Sequence, residues 1–223
     1  MKIDIVTLFP KMFYGPFSES IIGKAQENDL IEIEIHNLRD WGLGNYNQVD
    51  NKPFGGGGGM VIMIEPVYKC LNQIKKNAQE VKNPKVIALS AKGEPLKQSK
   101  VKQLSNEKHL IFLAGHYEGF DQRILDYLVD LKISIGNYVL TGGEIPAMVL
   151  TDAIVRLIPG VVGNDTTPTT DSYFKDDQSR QYPQYTRPAE FKMNNGQQLN
   201  VPDVLISGDH GKIKKWKKEN IEK

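Results

Sequence analysis

The chain has 223 residues, of which 39% are hydrophobic and 25% charged, and its formal net charge is +1. This length suffices for one substantial domain and a small second one, and the composition excludes a disordered chain. A single cysteine and four scattered histidines exclude a disulfide framework and offer no metal-ligand spacing. No apolar run reaches the roughly 18–20 residues of a membrane span and the start reads as a strand, so we expect a cytoplasmic protein.

The first 60 residues predict short ordered segments and one unusual loop. Residues 2–9 predict an apolar strand, residues 18–27 a short amphipathic helix, and the strict alternation at residues 30–38 a half-exposed strand. Residues 53–60 contain five consecutive glycines, which form neither a stable helix nor a strand. An apolar segment follows directly, which favours close approach of this backbone to a ligand or partner. A flexible linker is the alternative, and no Gly-Lys-Ser/Thr follows to make a P-loop.

The middle of the chain alternates predicted strands with predicted helices, which indicates an α/β domain with a largely parallel sheet. The predicted strands are residues 85–90, 110–114 and 133–135, the predicted helices are residues 66–77, 98–105, 121–129 and 144–157, and residues 91–95 are predicted as a loop. The three strands close on the small residues Ser90, Gly115 and Gly136. Ligands of open parallel sheets bind outside the carboxyl ends of strands, so these exits predict a ligand site. Tight turns without a ligand are the alternative.

The last third of the chain changes character. Residues 159–185 are rich in Gly, Thr, Asp and Pro, which predicts a long loop or linker, and loops of this length are usually functional or disordered. Residues 201–223 predict a small helical end piece whose last helix is capped by Asp209 or Ser207. Its lysines form either a solvated face or a phosphate-binding surface.

Several segments together resemble the bacterial tRNA (guanine-N1)-methyltransferases, the TrmD type of the SPOUT methyltransferases. The matching segments are residues 5–10, 53–60, 114–119, 133–144, 152–163, 171–172 and 185–188. The most specific are Ile-Gly-Asn-Tyr-Val-Leu-Thr-Gly-Gly-Glu at 135–144 and Arg-Leu-Ile-Pro-Gly-Val at 156–161. The segments run from the N-terminus towards the last helix, so the resemblance covers nearly the whole chain.

The resemblance implies an α/β fold with a mostly parallel sheet, whose carboxyl half ties a deep trefoil knot, and a small α-helical C-terminal domain. It implies an S-adenosylmethionine-binding domain at residues 1–160, an interdomain linker at 161–177 and a tRNA-binding domain at 178–223. The implied protein is a homodimer with its active site at the interface. Its implied reaction methylates N1 of guanosine 37, just 3′ of the anticodon in tRNA, using S-adenosylmethionine and, for turnover, Mg²⁺ at an unknown position.

The family's motifs also imply site residues. The cofactor-binding residues carried over are Leu89, Ser90, Gly115, Tyr117, Glu118, Gly119, Ile135, Gly136, Asn137, Tyr138, Val139, Leu140, Gly142 and Gly143. Glycines there would let the cofactor lie against the main chain, and Glu118 would face the sulfonium. Tyr117 and Tyr138 are either packing residues or cofactor walls.

The resemblance places the catalytic roles on Asp171 and Arg156. Guanine N1 carries a proton and is a poor nucleophile until a carboxylate within hydrogen-bond reach removes it. Charge then develops towards O6, where an arginine stabilises it. From the residues alone, Asp171 could instead cap a helix, and Arg156 could be a helix-end cation that meets the helix dipole.

The chain departs from the family's usual pattern at four positions. Gly58 replaces a proline, Asn137 an aspartate, His116 an arginine, and Gln181 an acidic residue. We expect a floppier glycine loop, less fixed positive charge at His116 and no second carboxylate at position 181. The arginine-rich tail of many relatives is absent, and phosphate contacts are expected instead from Lys212, Lys214, Lys215, Lys217 and Lys218. Residues 166–177 are the predicted lid that orders on RNA binding.

Two other functions fit parts of the sequence. One is a knotted RNA methyltransferase that modifies a different base or a ribose, which would not need Asp171 beside Arg156. The other is an RNA-binding protein without activity that kept the fold. The intact glycine loops, together with the presence of both Asp171 and Arg156, argue against it.

Overall fold

The computed structural model describes residues 1–78, 83–163, 171–174 and 176–221. It divides into two compact units, Met1–Asp165 and Thr166–Lys223. Residues 164–170 and 175 of the predicted linker lie outside the described residues. For the predicted lid, these are residues 166–170 and 175. In the described part of the chain, no helix is both long and apolar enough to cross a lipid bilayer.

The first unit alternates strands and helices along the chain. Its strands are β1 Lys2–Thr7, β2 Glu32–Asn37, β3 Asp50–Asn51, β4 Val61–Ile62, β5 Lys85–Pro95, β6 His109–Ala114 and β7 Leu131–Ser134. Its α-helices are α1 Tyr14–Ser18, α2 Ser20–Glu27, α3 Ile64–Asn77, α4 Gln98–Leu104, α5 Gln122–Tyr127 and α6 Glu144–Val155, and 3₁₀ helices cover Pro10–Phe13 and Leu38–Trp41.

Five of these strands form one sheet in the order β2-β1-β6-β5-β7, and every neighbouring pair is parallel. The predicted α/β domain with a largely parallel sheet is therefore confirmed. Helices cover both faces of the sheet, which explains why β6 is buried throughout while the edge strand β2 alternates. In such a sheet all carboxyl ends lie along one edge.

Each face of the sheet has its own apolar core. The first core packs Ile3, Ile5 and other strand residues against α1, α2, α4 and α6. The second core packs Val6, Ile111 and their neighbours against α3 and α5. Successive residues of a strand point to opposite faces, so β1 supplies both cores. Cys70 on α3 is fully buried, and burial raises the pKa of its thiol, which makes it a packing residue.

The prediction of a loop at residues 91–95 is wrong. β5 continues to Pro95, but its register against β7 shifts between Leu89 and Glu94, both of which pair with Ile133. The residues between them bulge out of the ladder, and the strand then resumes. Bulges beside the end of a strand re-aim side chains and commonly occur at functional sites. The Gly-Glu-Pro sequence has the composition of a turn, which is why the pattern alone ended the strand early.

A carboxylate is buried in the second core. Asp4, 1% exposed, has Oδ1 2.5 Å from the Nε2 atom of His36, and its Oδ2 is hydrogen-bonded to the Nε2 atom of His109. Burial alone would raise the pKa of Asp4, but the hydrogen bonds of the two histidines outweigh it and hold that pKa below its ordinary value. Asp4, His36 and His109, which we call the Asp4 network, thus join β1, β2 and β6.

The second unit combines a hairpin with helices. Strands β8 Glu190–Lys192 and β9 Gln198–Asn200 are antiparallel, and helices α7 Asp203–Ile206 and α8 His210–Glu219 follow. The predicted Asp209 cap is confirmed, since its carboxylate accepts from the backbone N–H of Lys212 at 3.0 Å. Two helices lie in the predicted helical end piece at residues 201–223, whereas the hairpin before them was not predicted. The Asn-Gly pair at 195–196 was the available signal.

Candidate functional site

The exits of three strands meet at one cavity on the carboxyl edge of the sheet. Its volume is about 340 Å³, within the range of small-molecule sites. It is lined by Leu89, Ser90, Ala91, Lys92, Gly115, His116, Tyr117, Glu118, Gly119, Phe120, Ile133, Ser134, Ile135, Gly136, Tyr138, Val139, Leu140, Thr141, Gly142, Gly143 and Pro146. The three small-residue exits thus lie together, as the parallel sheet requires.

Two loops form facing walls of this cavity. The β6 wall is residues 115–119 and the α6 wall is residues 136–143. They touch where the N–H of Gly143 donates to the carbonyl of Gly115 at 2.7 Å. A Cβ atom on Gly143 would lie 2.6 Å from the Gly115 nitrogen, closer than real Cβ contacts allow. Glycine at this position is therefore what permits the two walls to meet.

The cavity offers main-chain groups, the aromatic rings of Tyr117, Phe120 and Tyr138, one carboxylate and the side chains of Lys92 and His116. Five of its lining residues are glycines, which leave main-chain atoms open to a ligand. Tyr138 covers Gly136 with its ring, and its hydroxyl donates to the carbonyl of Ile135 at 3.2 Å. Glu118 is the acidic side chain in the lining. This arrangement can bind a molecule with a flat apolar part, main-chain hydrogen-bonding groups and a positive charge.

Thirteen of the fourteen predicted cofactor-binding residues line this cavity. Asn137 is the exception, because its side chain is exposed and outside the lining. Their role in binding a cofactor stays a prediction. The predicted set missed Ala91 and Lys92, which lie in the β5 bulge, and Phe120. The other lining residues that it did not include are His116, Ile133, Ser134, Thr141 and Pro146. The bulge has no strong sequence signal, whereas Phe120 directly follows a motif glycine and could have been included.

The two predicted catalytic residues belong to different units. Arg156 is the residue that ends α6, which is the position that the helix-dipole alternative also gives it. Asp171 lies in a turn at residues 171–174, where the N–H of Phe174 donates to its carbonyl at 3.3 Å. These four residues contain no helix, so the alternative that Asp171 caps a helix here is not supported. The catalytic roles stay predictions.

His116 lines the cavity and also contacts a buried carboxylate. Its Nε2 atom lies 2.7 Å from Oε2 of Glu144, the first residue of α6, which is 1% exposed. The other oxygen of Glu144 accepts from the hydroxyl of Thr7 at 2.6 Å. Sequence reasoning missed Glu144 and Thr7. An acid in the first, largely apolar two turns of α6 was the signal that could have found Glu144.

The glycine loop at residues 53–60 packs against the β6 wall. The N–H of Glu118 donates to the carbonyl of Met60 at 3.0 Å, and the N–H of Ile62 donates to that of Gly119 at 2.9 Å. Gly59 has a φ of +79°, and a Cβ atom there would lie 2.7 Å from Cγ of Glu118. The backbone of this loop therefore lies against a wall of the cavity. Its predicted close approach to a ligand or partner stays a prediction.

Neighbouring glycines in this loop differ in their expected tolerance of a side chain. We expect Gly59→Ala to lower the free energy of unfolding by about 1–2 kcal/mol, because alanine is strained at positive φ and would also displace Glu118. Gly58 has no positive φ and open space around it, so Gly58→Ala should change that free energy by less than about 1 kcal/mol. Urea unfolding of both variants measures the difference. Equal losses would show that the loop is not held in this conformation.

One group in the described part of the chain has the spacing to hold a metal ion, namely Asp4, Glu34 and His36. Two of its members belong to the Asp4 network. The ammonium of Lys2 lies 2.9 Å from Glu34, so a positive charge already occupies the neighbourhood of a third ligand. Mg²⁺ prefers an all-oxygen shell that includes water. This group therefore does not fit the expected magnesium ion.

Comparison with known proteins decides the family. The family described as tRNA (Guanine-1)-methyltransferase TrmD matches residues 1–223. The chain belongs to the TrmD family. The resemblance that rested on seven short segments is thereby confirmed, together with the prediction of a methyltransferase.

Curated members of the TrmD family resemble this chain over almost its full length. A tRNA (guanine-N(1)-)-methyltransferase of Staphylococcus carnosus is 48% identical over 219 residues, which cover 98% of this chain and 85% of the relative. The protein of the same name from Carboxydothermus hydrogenoformans is also 48% identical, over 98% of this chain and 82% of the relative. Both units of the chain therefore lie within the aligned region.

Proposed function

We propose that this protein transfers the methyl group of S-adenosylmethionine to N1 of guanosine 37 in tRNA. The observation that carries the proposal is the cavity at the strand exits, in a chain that matches the TrmD family from end to end. The names of its curated relatives support the substrate, tRNA, and the acceptor atom, guanine N1. The trefoil knot and the position in the tRNA belong to the same proposal and rest on the family.

The cavity suits S-adenosylmethionine on three grounds. Its volume of about 340 Å³ is at the small end of ligand sites, which suits a cofactor held in a bent shape. Its glycines and strand ends present main-chain groups to adenine and to the methionine part. Glu118 places a carboxylate where a sulfonium cation can be accommodated. When bound, the cofactor supplies an electrophilic methyl group.

The chain's own residues handle the proton and the charge. Asp171 removes the proton from guanine N1, which makes that nitrogen a nucleophile. Arg156 stabilises the negative charge that develops on O6. Because N1 is on the pairing edge of the base, the guanine has to leave its stack to reach these groups. The magnesium requirement stays part of the proposal without assigned residues.

A homodimer completes the proposed site. Apolar side chains are exposed on α6, at Ile145 and Val149. Others are exposed directly after β1, at Phe9 and Met12. Large exposed apolar surfaces mark interfaces. We propose that this surface joins two copies, and that Asp171 of one copy serves the cavity of the other. Sedimentation equilibrium should give twice the monomer mass.

The second unit is the proposed tRNA-binding part. Tyr185 and Trp216 lie with their rings 6.3 Å apart, and the ammonium of Lys217 lies 4.7 Å from the Tyr182 ring centre. Aromatic rings beside lysines suit stacking on bases and contacts to phosphates. α8 adds further lysines along its exposed side.

Labelled methyl donor and unmodified tRNA transcripts test the reaction. We expect label in a transcript with guanosine 3′ of the anticodon and none when that nucleotide is adenosine, and nuclease mapping should find 1-methylguanosine there. Label on another base or on a ribose would instead favour the related RNA methyltransferases. Tight tRNA binding without any transfer would indicate an RNA-binding protein that lacks activity. Calorimetry on the RNA-free protein should detect S-adenosylmethionine binding.

A further inference from the structure

A buried carboxylate, outside the cavity lining, joins the two facing walls of the cavity. Glu144 accepts a hydrogen bond from the hydroxyl of Thr7 at the end of β1, and its other oxygen lies 2.7 Å from Nε2 of His116 in the β6 wall. Glu144 itself follows directly on the α6 wall. We call Thr7, His116 and Glu144 the Glu144 bridge. It ties together three strand or helix ends that are distant in sequence.

Each hydrogen bond of the bridge has a fixed direction. The hydroxyl oxygen of Thr7 already accepts from the N–H of Phe9 at 2.9 Å, which leaves its O–H free to donate to Glu144. A carboxylate is an acceptor on both oxygens, so Nε2 of His116 is the donor in the second contact. The His116 ring also packs against Phe9, with ring centres 4.8 Å apart. The geometry of the three side chains is thus determined from several directions.

The bridge lies where the α6 wall has few other long-range attachments. Among the described hydrogen bonds, the walls meet through the main chain at Gly143 and Gly115 and through an isolated bridge between His116 and Gly142. The hydrogen bonds of the α6 wall to Ser134 and Ile135, made by Gly136 and Tyr138, join residues two or three positions apart and are local. The β6 wall, in contrast, is also attached to the glycine loop through Glu118. The Glu144 bridge therefore attaches the α6 wall, which has fewer long-range hydrogen bonds than the β6 wall, through side chains.

We propose that the Glu144 bridge is a positioning device that sets the spacing of the two cavity walls and thereby the affinity for the methyl donor. This inference rests on the proposed function, because it takes S-adenosylmethionine as the ligand. Thr7 and Glu144 lie outside the cavity lining and act through the main chain of the walls as positioning residues, whereas His116 also lines the cavity. A buried donor or acceptor that loses its partner is costly, so the walls should shift when one member is removed.

Matched pairs of substitutions separate positioning from general stability. His116→Phe keeps a ring beside Phe9 but removes the donor, whereas His116→Gln restores a donor at a similar reach. Thr7→Val removes the hydroxyl and keeps the shape. Thr151→Val is its control, because Thr151 is a fully buried threonine on α6 whose hydroxyl donates to the carbonyl of Ala147, outside the bridge.

Calorimetry of S-adenosylmethionine binding and steady-state kinetics test the proposal. We expect His116→Phe and Thr7→Val to raise the Kd and the KM for S-adenosylmethionine roughly tenfold, the effect of about one buried hydrogen bond, with the KM for tRNA unchanged. His116→Gln should recover most of the affinity, and Thr151→Val should bind like the wild type. Hydrogen exchange should be faster in both walls of His116→Phe than in the wild type.

Two results would overturn the proposal. One is that His116→Phe and Thr7→Val bind S-adenosylmethionine with the affinity of the wild type. This holds also if the two variants unfold at a lower temperature than the wild type. The other is equal loss in Thr151→Val, which would mark a general effect of altering buried threonines. Failure of the wild type to bind S-adenosylmethionine would be a separate result, since it would overturn the proposed function itself and with it the ligand assigned to the bridge.

Discussion

Replacing Asp171 by asparagine should lower the single-turnover rate of methyl transfer by about 10²–10⁴-fold, the usual contribution of a positioned general base. Asparagine has the same shape but cannot accept the proton of guanine N1 at neutral pH. Binding of S-adenosylmethionine should stay nearly unchanged, since the proposed cofactor cavity lies in the first unit and Asp171 in the second. Rapid-quench assays with excess enzyme measure the rate, and calorimetry measures the binding.

The matched control is Asp203→Asn, which removes an exposed carboxylate at the start of α7 in the same unit. Its single-turnover rate should be within a few-fold of the wild type. If Asp171→Asn transferred methyl groups at a near-normal rate, another group would have to be the base. If Asp171→Asn also lost cofactor binding, its effect would be structural rather than catalytic.

Removing Asp4 should produce the largest loss of stability. Asp4→Ala leaves His36 and the 3% exposed His109 without their shared hydrogen-bond partner, and each buried group left unsatisfied costs about 1–3 kcal/mol. Urea unfolding at pH 7 measures the loss. A Trp216→Phe background leaves Trp41 as the only tryptophan, and its ring centre lies 6.1 Å from that of His36, so its fluorescence reports on the first unit.

The control for this prediction is Glu32→Ala on the neighbouring strand. Glu32 forms an exposed pair with Lys2 at 3.0 Å, and exposed pairs contribute only about 0–1 kcal/mol. Losses of similar size in Asp4→Ala and Glu32→Ala would contradict the assigned importance of the Asp4 network.

The same network predicts how stability depends on pH. The pKa of Asp4 is lowered in the folded protein, so the unfolded chain binds the proton more readily and stability falls as pH decreases. The contribution of Asp4 is complete above its unfolded pKa of about 3.9 and is lost as pH falls through the lower folded value. The difference in unfolding free energy between wild type and Asp4→Ala should therefore be constant from pH 7 to about 5 and shrink below about 4. A constant difference down to pH 3 would show that Asp4 is not the titrating group.

The sequence predicted the strands, their parallel arrangement and the edge where the cavity lies, because these follow from apolar segments and small residues at strand exits. It did not predict the continuation of β5 to Pro95, since a bulge depends on pairing with β7, a partner about 40 residues away. The hairpin β8–β9 was missed for a different reason. Its strands are short and exposed, so they lack the apolar periodicity that marks a strand.

Most residues that line the cavity could be predicted from motifs, but the side-chain contacts that hold its walls together could not. The glycines of the cavity are visible in the sequence itself. The Glu144 bridge, in contrast, joins Thr7 to a residue 137 positions later. Nothing in a single sequence pairs such distant polar side chains. For the same reason the inward direction of His116 was not foreseen. Its substitution for a more common arginine suggested a weaker surface charge, and the structure instead gives its ring a buried partner.

The abundance of glycine and main chain around the cavity has a consequence for inhibitors aimed at this protein. A compound that hydrogen-bonds to the amides and carbonyls of residues 115–119 and 136–143 would contact atoms common to every amino acid. Most codon changes leave those atoms in place, and at Gly143 a larger residue would collide with the Gly115 main chain. Drug resistance through single changes at such contacts would therefore tend to damage the binding site itself.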